Sequence, residues 1–201
     1  MKWLFLLLVT GFSLTTANAQ IKLGIKGGAD FSTITGDYFG TNKTLVGFNA
    51  GAIVSLPLFS KFTLQPELVY SNEGALTTQA NVETTLANNY MNLPILFKYN
   101  NPTGIFVETG PQMGFLSNAK LKFSNDFLED EKPNFTRTDY SWVFGVGYLI
   151  KDANLGIDAR YNLGLRNFVN VSYYGNGYAT NNVIQVGLFF LFGIKATPEN
   201  H

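Results

Sequence analysis

The segment Leu155 to Arg166, LGIDARYNLGLR, alternates without a break. Leu155, Ile157, Ala159, Tyr161, Leu163 and Leu165 share one parity; Gly156, Asp158, Arg160, Asn162, Gly164 and Arg166 share the other. A period of two places these sets on opposite faces of a β-strand. One face is wholly apolar and the other wholly polar or glycine, so the strand separates two media. The pattern recurs. Ile184, Val186, Leu188, Phe190, Phe192 and Ile194 share a face, as do Tyr140, Trp142, Phe144, Val146, Tyr148 and Ile150, and Met91, Leu93, Ile95, Phe97 and Tyr99. Helical periodicity is scarce after Gln20, and no later apolar run reaches the ~20 residues that a spanning helix needs.

The first residues read differently. Lys2 supplies positive charge, WLFLLLVTGFSL is apolar, and Ala17 to Ala19 has the small-residue pattern of a cleavage site. The three parts together predict a secretory signal peptide over residues 1–19, with a mature chain from about Gln20.

Alternating segments predict an all-β domain over residues 20–195, followed by a short tail at 196–201. Eight strands are expected, at about 20–31, 45–57, 61–73, 89–100, 104–117, 139–150, 155–166 and 182–195. The connections are sorted. LFSK, NNPT and KDAN are tight turns after the second, fourth and sixth strands, whereas the segments after the first, third, fifth and seventh are long. In an up-and-down antiparallel sheet, all long connections then fall at one end and all short ones at the other. Transmembrane β-barrels have this asymmetry and an even strand number; a soluble sandwich has no reason to adopt it. The expected fold is an eight-stranded antiparallel up-and-down transmembrane β-barrel.

Composition assigns the faces. Asp, Glu, Lys and Arg make up 14% of the 201 residues, against roughly 25% in an ordinary soluble domain. The polar faces carry Lys26, Glu67, Lys98, Glu108, Asp158 and Arg160, with Gln65, Asn92, Gln112 and Asn162 among many glycines. Sparse charges of both signs suit a crowded lumen where opposite walls meet and must pair. The apolar faces are therefore assigned to lipid. The six charges are expected to form a structural network filling the lumen; the alternative is a solute path. Aromatic residues fall near both strand ends: Phe62, Tyr99 and Tyr148 on the short-turn side, and Tyr70, Phe115, Tyr140 and Trp142 on the other. That distribution suits an interfacial girdle. Pro66, Pro94 and Pro111 lie mid-strand, and a β-bulge is expected beside each.

Several chemistries are excluded. The formal net charge is zero, with 14 basic and 14 acidic residues, so a nucleic-acid partner is not expected. There is no cysteine, and the single histidine is His201. Thiol chemistry, a Ser-His-Asp triad and histidine-based metal binding are thus removed. No catalytic residue, metal or cofactor is expected. GIKGG at Gly24–Gly28 lies within a strand with no helix behind it, unlike a phosphate-binding loop. Asp126 to Glu131, DFLEDE, reads as a solvated acidic run, with Ca²⁺ binding or a cation bridge to lipopolysaccharide as the alternative. NVS at Asn170 is a glycosylation sequon, given little weight.

LGIKGGADFSTITG, LQPELVYSNEG, YMNLPILFKY, GPQMGFL, LGIDARYNLGL and NNVIQVGLFFLF, in this order, resemble the Bacteroidota-type outer-membrane β-barrel family, the "porin family" that includes PorT-like proteins. The resemblance spans nearly the whole mature chain. It implies an OmpA- or OmpX-like barrel in the outer membrane of a Gram-negative bacterium, with lipid, lipopolysaccharide and the barrel assembly machinery as partners. It says little about activity. Barrels of this kind commonly end on an aromatic residue, whereas here ATPENH follows the last strand and Phe192 is internal. The expected function is structural, adhesive or interactive, through long extracellular loops and as a monomer. The rivals are a narrow channel for ions or small solutes, and a soluble exported ligand-binding barrel of lipocalin type with its faces inverted.

Overall fold

The computed structural model describes residues 21–36, 42–79, 82–123, 128–130, 136–167 and 179–193. The expected signal peptide, the acidic run around Asp126, the sequon at Asn170 and the C-terminal tail lie wholly or largely outside them. The strands are β1 (Lys22–Gly36), β2 (Asn42–Phe59), β3 (Phe62–Gln79), β4 (Val82–Asn100), β5 (Ile105–Phe123), β6 (Leu128–Asp130), β7 (Thr138–Ile150), β8 (Leu155–Gly164) and β9 (Ala179–Gly193). Every pairing is antiparallel. Sequential neighbours pair around the sheet, and β1 also pairs with β9, which closes eight strands into a barrel. The three-residue β6 adds a short flap against β5.

Closure fixes which side of each strand looks in. Leu188 is 56% exposed and Trp142 38%, both outward, whereas Arg160 is 3% exposed, inside the cylinder. β8 alternates exposed and buried at every residue. The outward set, including Ile25, Phe48, Leu68, Ile95, Val107, Phe144, Ile157 and Phe190, forms a continuous apolar belt.

The structure revises the strand ends. β3, β4 and β5 run well past their expected limits, because β3 and β4 stay in register from Phe62↔Tyr99 to Gln79↔Val82. Within NEGALTTQANVETTLAN, residues 72–79 and 82–88 are thus paired strand rather than loop. Apolar alternation marks only the part of a strand that lies between two media. The backbone ladder continues beyond it, and Thr-rich sequence has the β-propensity to carry it.

No bulge accompanies the three prolines. The register irregularities lie between Thr44 and Asn49, Pro57 and Phe59, and Asn89 and Tyr90. At Pro66 the β2–β3 ladder skips Val54 and Ser55 and resumes in the same register. At Pro94 the β3–β4 ladder skips Glu67 and Leu68, and at Pro111 the β4–β5 ladder skips Ile95 and Leu96. Each proline lacks the N–H that would donate to the preceding strand. The ladder therefore loses a rung without gaining a residue. All three keep their pairing to the following strand, so closure survives.

β2 has a second face that the sequence leaves ambiguous. Its inward positions are Gly47, Asn49, Gly51, Ile53 and Ser55, and Ile53 packs inside against Phe106, Phe189 and Leu191, with Leu149 beside them. The lumen thus has an apolar layer near its short-turn end. Glycines opposite make room for it: a Cβ on Gly156 would lie 2.1 Å from the Phe189 ring, and one on Gly147 2.3 Å from that of Phe106. The short turns are locked by backbone geometry. Ser60 and Asn154 adopt φ of 44° and 51°, and Leu191 N–H donates to the Asn154 carbonyl at 2.9 Å.

Placing an arginine at the belt tests the face assignment. Leu188→Arg is expected to cost about 2–4 kcal/mol if the position lies near a bilayer midplane, read as a lowered urea midpoint in lipid vesicles. A neutral outcome overturns the outward-to-lipid reading.

Candidate functional site

The candidate site is the charged layer at mid-lumen. β1 supplies Lys26, β3 Gln65 and Glu67, β4 Lys98, β5 Glu108, and β8 Asp158 and Arg160. All are 6% exposed or less. The Arg160 guanidinium is the hub. It donates from both terminal nitrogens to Glu67, at 2.7 and 2.8 Å, and from Nε to Glu108 at 2.6 Å. Its third carboxylate, Asp158, lies at 3.2 Å. The planar fork suits such bidentate pairing, which an ammonium cannot reproduce.

The two lysines are held more loosely. Lys26 Nζ lies 3.6 Å from Glu67 and 3.4 Å from Asp158. Lys98 Nζ is 3.8 Å from Glu108 and 3.4 Å from the Gln65 amide oxygen, and sits 3.3 Å from the centroid of the Phe106 ring and 4.8 Å from that of Phe189. Three cations thus face three carboxylates, so the layer is neutral although each member is removed from water. Gly145 makes it compact: a Cβ there would lie 2.8 Å from Glu108 Cγ and 3.1 Å from Arg160 Cγ.

Toward the long-hairpin end the lumen changes character. Asp30 accepts hydrogen bonds from Asn49 Nδ2 at 2.5 Å and from the Ser71 hydroxyl. Glu73 accepts from Asn92 Nδ2 at 3.0 Å and from the Asn181 amide. Asp139 faces the same space, a void of about 10 Å³ lined also by Gln112, Ser141 and Asn162. That is about one water-sized sphere. Several buried oxygens here have no protein partner among the described residues, including Asn49 Oδ1, Asn162 Oδ1, Asn181 Oδ1 and the Tyr90 hydroxyl. They are positions for ordered water. Sequence reading passed over Asp30, Glu73 and Asp139, although Asp30 shares the parity of Lys26 and Glu73 that of Glu67. It also passed over Phe106 and Phe189, whose outward neighbours are apolar too, so that alternation is silent there.

The seven aromatic candidates all lie on the outward face. Phe62 stands between Phe97 and Tyr99, with ring centroids 5.1 and 5.3 Å away, and Tyr70 packs on Phe48 at 5.8 Å. Phe115, Tyr140 and Tyr148 are exposed. Trp142 donates its indole N–H to Thr109 Oγ1 at 2.8 Å, so its polar edge is tied to the barrel wall.

A closed antiparallel barrel with an apolar belt outside and a neutralised charge layer inside defines a membrane β-barrel of the outer-membrane type. The chain belongs to the outer membrane protein β-barrel domain family, whose profile matches residues 15–170. Among solved structures it is similar to Neisserial surface protein A, at 11% identity and a TM-score of 0.55, over 85% of this chain and 97% of that one. It is also similar to Ail, the attachment invasion locus protein of Yersinia pestis, at 14% identity and a TM-score of 0.51, over 86% and 99%. Identities this low speak to the fold alone. No curated protein sequence matches the chain.

Replacing the hub tests the layer. Arg160→Met leaves Glu67 and Glu108 buried without their main partner and is expected to cost about 3–5 kcal/mol, measured by equilibrium unfolding in vesicles. Lys26→Met, with its longer contacts, is expected to cost less. Equal losses would remove Arg160 from the centre of the network.

Proposed function

We propose that this protein is a plugged outer-membrane barrel that acts through its long hairpins rather than as an open pore. The observation that carries the reading is the mid-lumen layer: Arg160, Glu67, Glu108 and Asp158 join β3, β5 and β8 across the cylinder with side chains at most 2% exposed. An eight-stranded barrel has an interior that its own side chains fill, and the void above the layer is water-sized. By the orientation usual for such barrels, the short turns face the periplasm and the β3–β4 hairpin faces outward. The hairpin then offers paired backbone well beyond the apolar belt, a surface suited to adhesion or to an extracellular partner. Ail, similar in fold, is by its printed name an attachment protein, which agrees with this role.

The finer placement is part of the same proposal. The chain is a monomeric, Bacteroidota-type, PorT-like barrel of a Gram-negative outer membrane, exported by its N-terminal segment and inserted by the assembly machinery. Membrane lipid and lipopolysaccharide surround it, and it is not an enzyme: the sequence holds no cysteine and has histidine only at position 201. The second reading, a narrow channel, draws on the polar spaces at either side of the charge layer and requires that layer to part.

Two measurements test this. Heat-modifiable gel mobility in an outer-membrane fraction is expected; recovery of the protein in the soluble fraction overturns the membrane placement. In planar bilayers the wild type is expected to give no steady unitary currents. Steady currents abolished by Glu108→Gln or Arg160→Met would favour the channel.

A further inference from the structure

The short-turn end of the lumen holds a cavity directly below the charge layer, whose Gln65 and Lys98 form its roof. It has a volume of about 160 Å³ and lies beneath Lys98, with Lys22 at the start of β1 and Lys151 in the β7–β8 turn also on its wall. Liquid water occupies ~30 Å³ per molecule, so the space suits a few waters or one oxyanion. Leu149 and Leu191 from the apolar layer contribute to its lining, and Ser55, Thr63 and Asn100 line its polar side. Among the described residues, no carboxylate lines it. Lys98 is balanced from above by Glu108 at 3.8 Å, whereas Lys22 and Lys151 face no carboxylate among the residues that line the cavity.

The donors are under-used. An ammonium carries three N–H donors. Among the described residues, Lys22 has one hydrogen bond, to Asn154 Oδ1 at 3.4 Å, and Lys151 one, to the Pro102 carbonyl at 2.6 Å. Lys98 is buried, yet its nearest oxygens are at 3.4 and 3.8 Å, longer than a normal hydrogen bond. Thr63 Oγ1 accepts from Asn100 Nδ2 at 3.0 Å, which leaves its own proton for another acceptor. A space walled by two unpaired ammonium groups, a third that Glu108 holds only loosely, and hydroxyls, with no carboxylate among the described lining residues, suits an anion rather than a cation.

We propose that this cavity is a binding site for a phosphate-class oxyanion, held by Lys22, Lys98 and Lys151 with the Thr63 hydroxyl as a further donor. Free phosphate or a phosphate monoester and the phosphodiester of a lipid headgroup share this chemistry. The site opens at the short-turn end, so in the orientation proposed above its ligand arrives from the periplasm or the inner leaflet. Its anion chemistry does not depend on that orientation.

The experiment is a calorimetric titration of inorganic phosphate into the full barrel, refolded in an uncharged maltoside, with sodium chloride at matched ionic strength as reference. Saturable phosphate binding is expected, together with a rise in thermal midpoint with phosphate. The Lys22→Gln/Lys151→Gln double substitution leaves every member of the charge layer in place. It is expected to weaken binding at least about tenfold, as the loss of charge-assisted hydrogen bonds implies, while Lys22→Arg/Lys151→Arg retains binding. Repeating the titration in nanodiscs identifies the source. Heat seen in the phosphate-free maltoside but lost in discs of phosphatidylcholine or phosphatidylglycerol, both phosphodiesters, assigns the site to a headgroup; heat that persists in both kinds of disc assigns it to a free anion. The absence of phosphate binding beyond that of chloride overturns the proposal, as does equal affinity in the glutamine variant. Should that variant not fold, an unshifted wild-type thermal midpoint in phosphate overturns it alone.

Discussion

Everything in this molecule follows from closure of the backbone ladder. In hydrocarbon, an unpaired N–H or C=O has no water to turn to, so a sheet can cross only if it has no edge. The β1–β9 pairing, in register from Lys22↔Gly193 to Gly36↔Ala179, removes the last edge. The three prolines show how much local loss closure tolerates. Each deletes a rung to the preceding strand, at Val54, Glu67 and Ile95, but none shifts the register or breaks the pairing on its other side. A single absent donor is a local cost, whereas a slipped register would turn every later side chain to the wrong medium.

Closure also creates the lumen and its problem. An eight-stranded cylinder is narrow, and any ionised group inside it leaves water behind. The interior answers with three cations and three carboxylates around one guanidinium, whose fork reaches Glu67 and Glu108 on different strands. A buried network of this kind is weak evidence of net stabilisation, because desolvation offsets much of the attraction. Its clearer consequence is geometric: strands far apart in the sequence are tied across the lumen, and the bore is filled. Above it, carboxylates take their hydrogen bonds from neutral amides and hydroxyls. Below it, lysines border a cavity with no carboxylate among its described lining residues. The lumen is therefore polarised along its axis, with a neutral layer separating an acidic half from a basic mouth.

Much of the fold was legible because a strand between two media writes its environment into every second residue. Leu155–Gly164 shows this most plainly, and the outward and inward sets there match the sequence pattern residue for residue. The pattern fails where the media cease to differ. In the outer part of the β3–β4 hairpin the sequence carries no apolar–polar alternation, so the strand looked like loop. At the short-turn end of the lumen, Ile53, Phe106 and Phe189 are apolar inside and out, and alternation had nothing to contrast. Bulges were expected at the prolines because a sequence shows the missing donor but not the partner strand's register.

The sequence by itself determined the strand period, the even strand count, the sorting of short turns to one end and the inward face of the six mid-lumen charges, though not of Asp30, Glu73 and Asp139, since each is a property of one chain segment and its solvent. Only the tertiary structure decided which inward charges meet. Arg160 and Glu67 are separated by 93 positions, and their contact depends on strand register and barrel diameter. The basic cavity was settled at the same level: Lys22, Lys98 and Lys151 come from three distant segments, and closure of the cylinder alone brings them to one mouth.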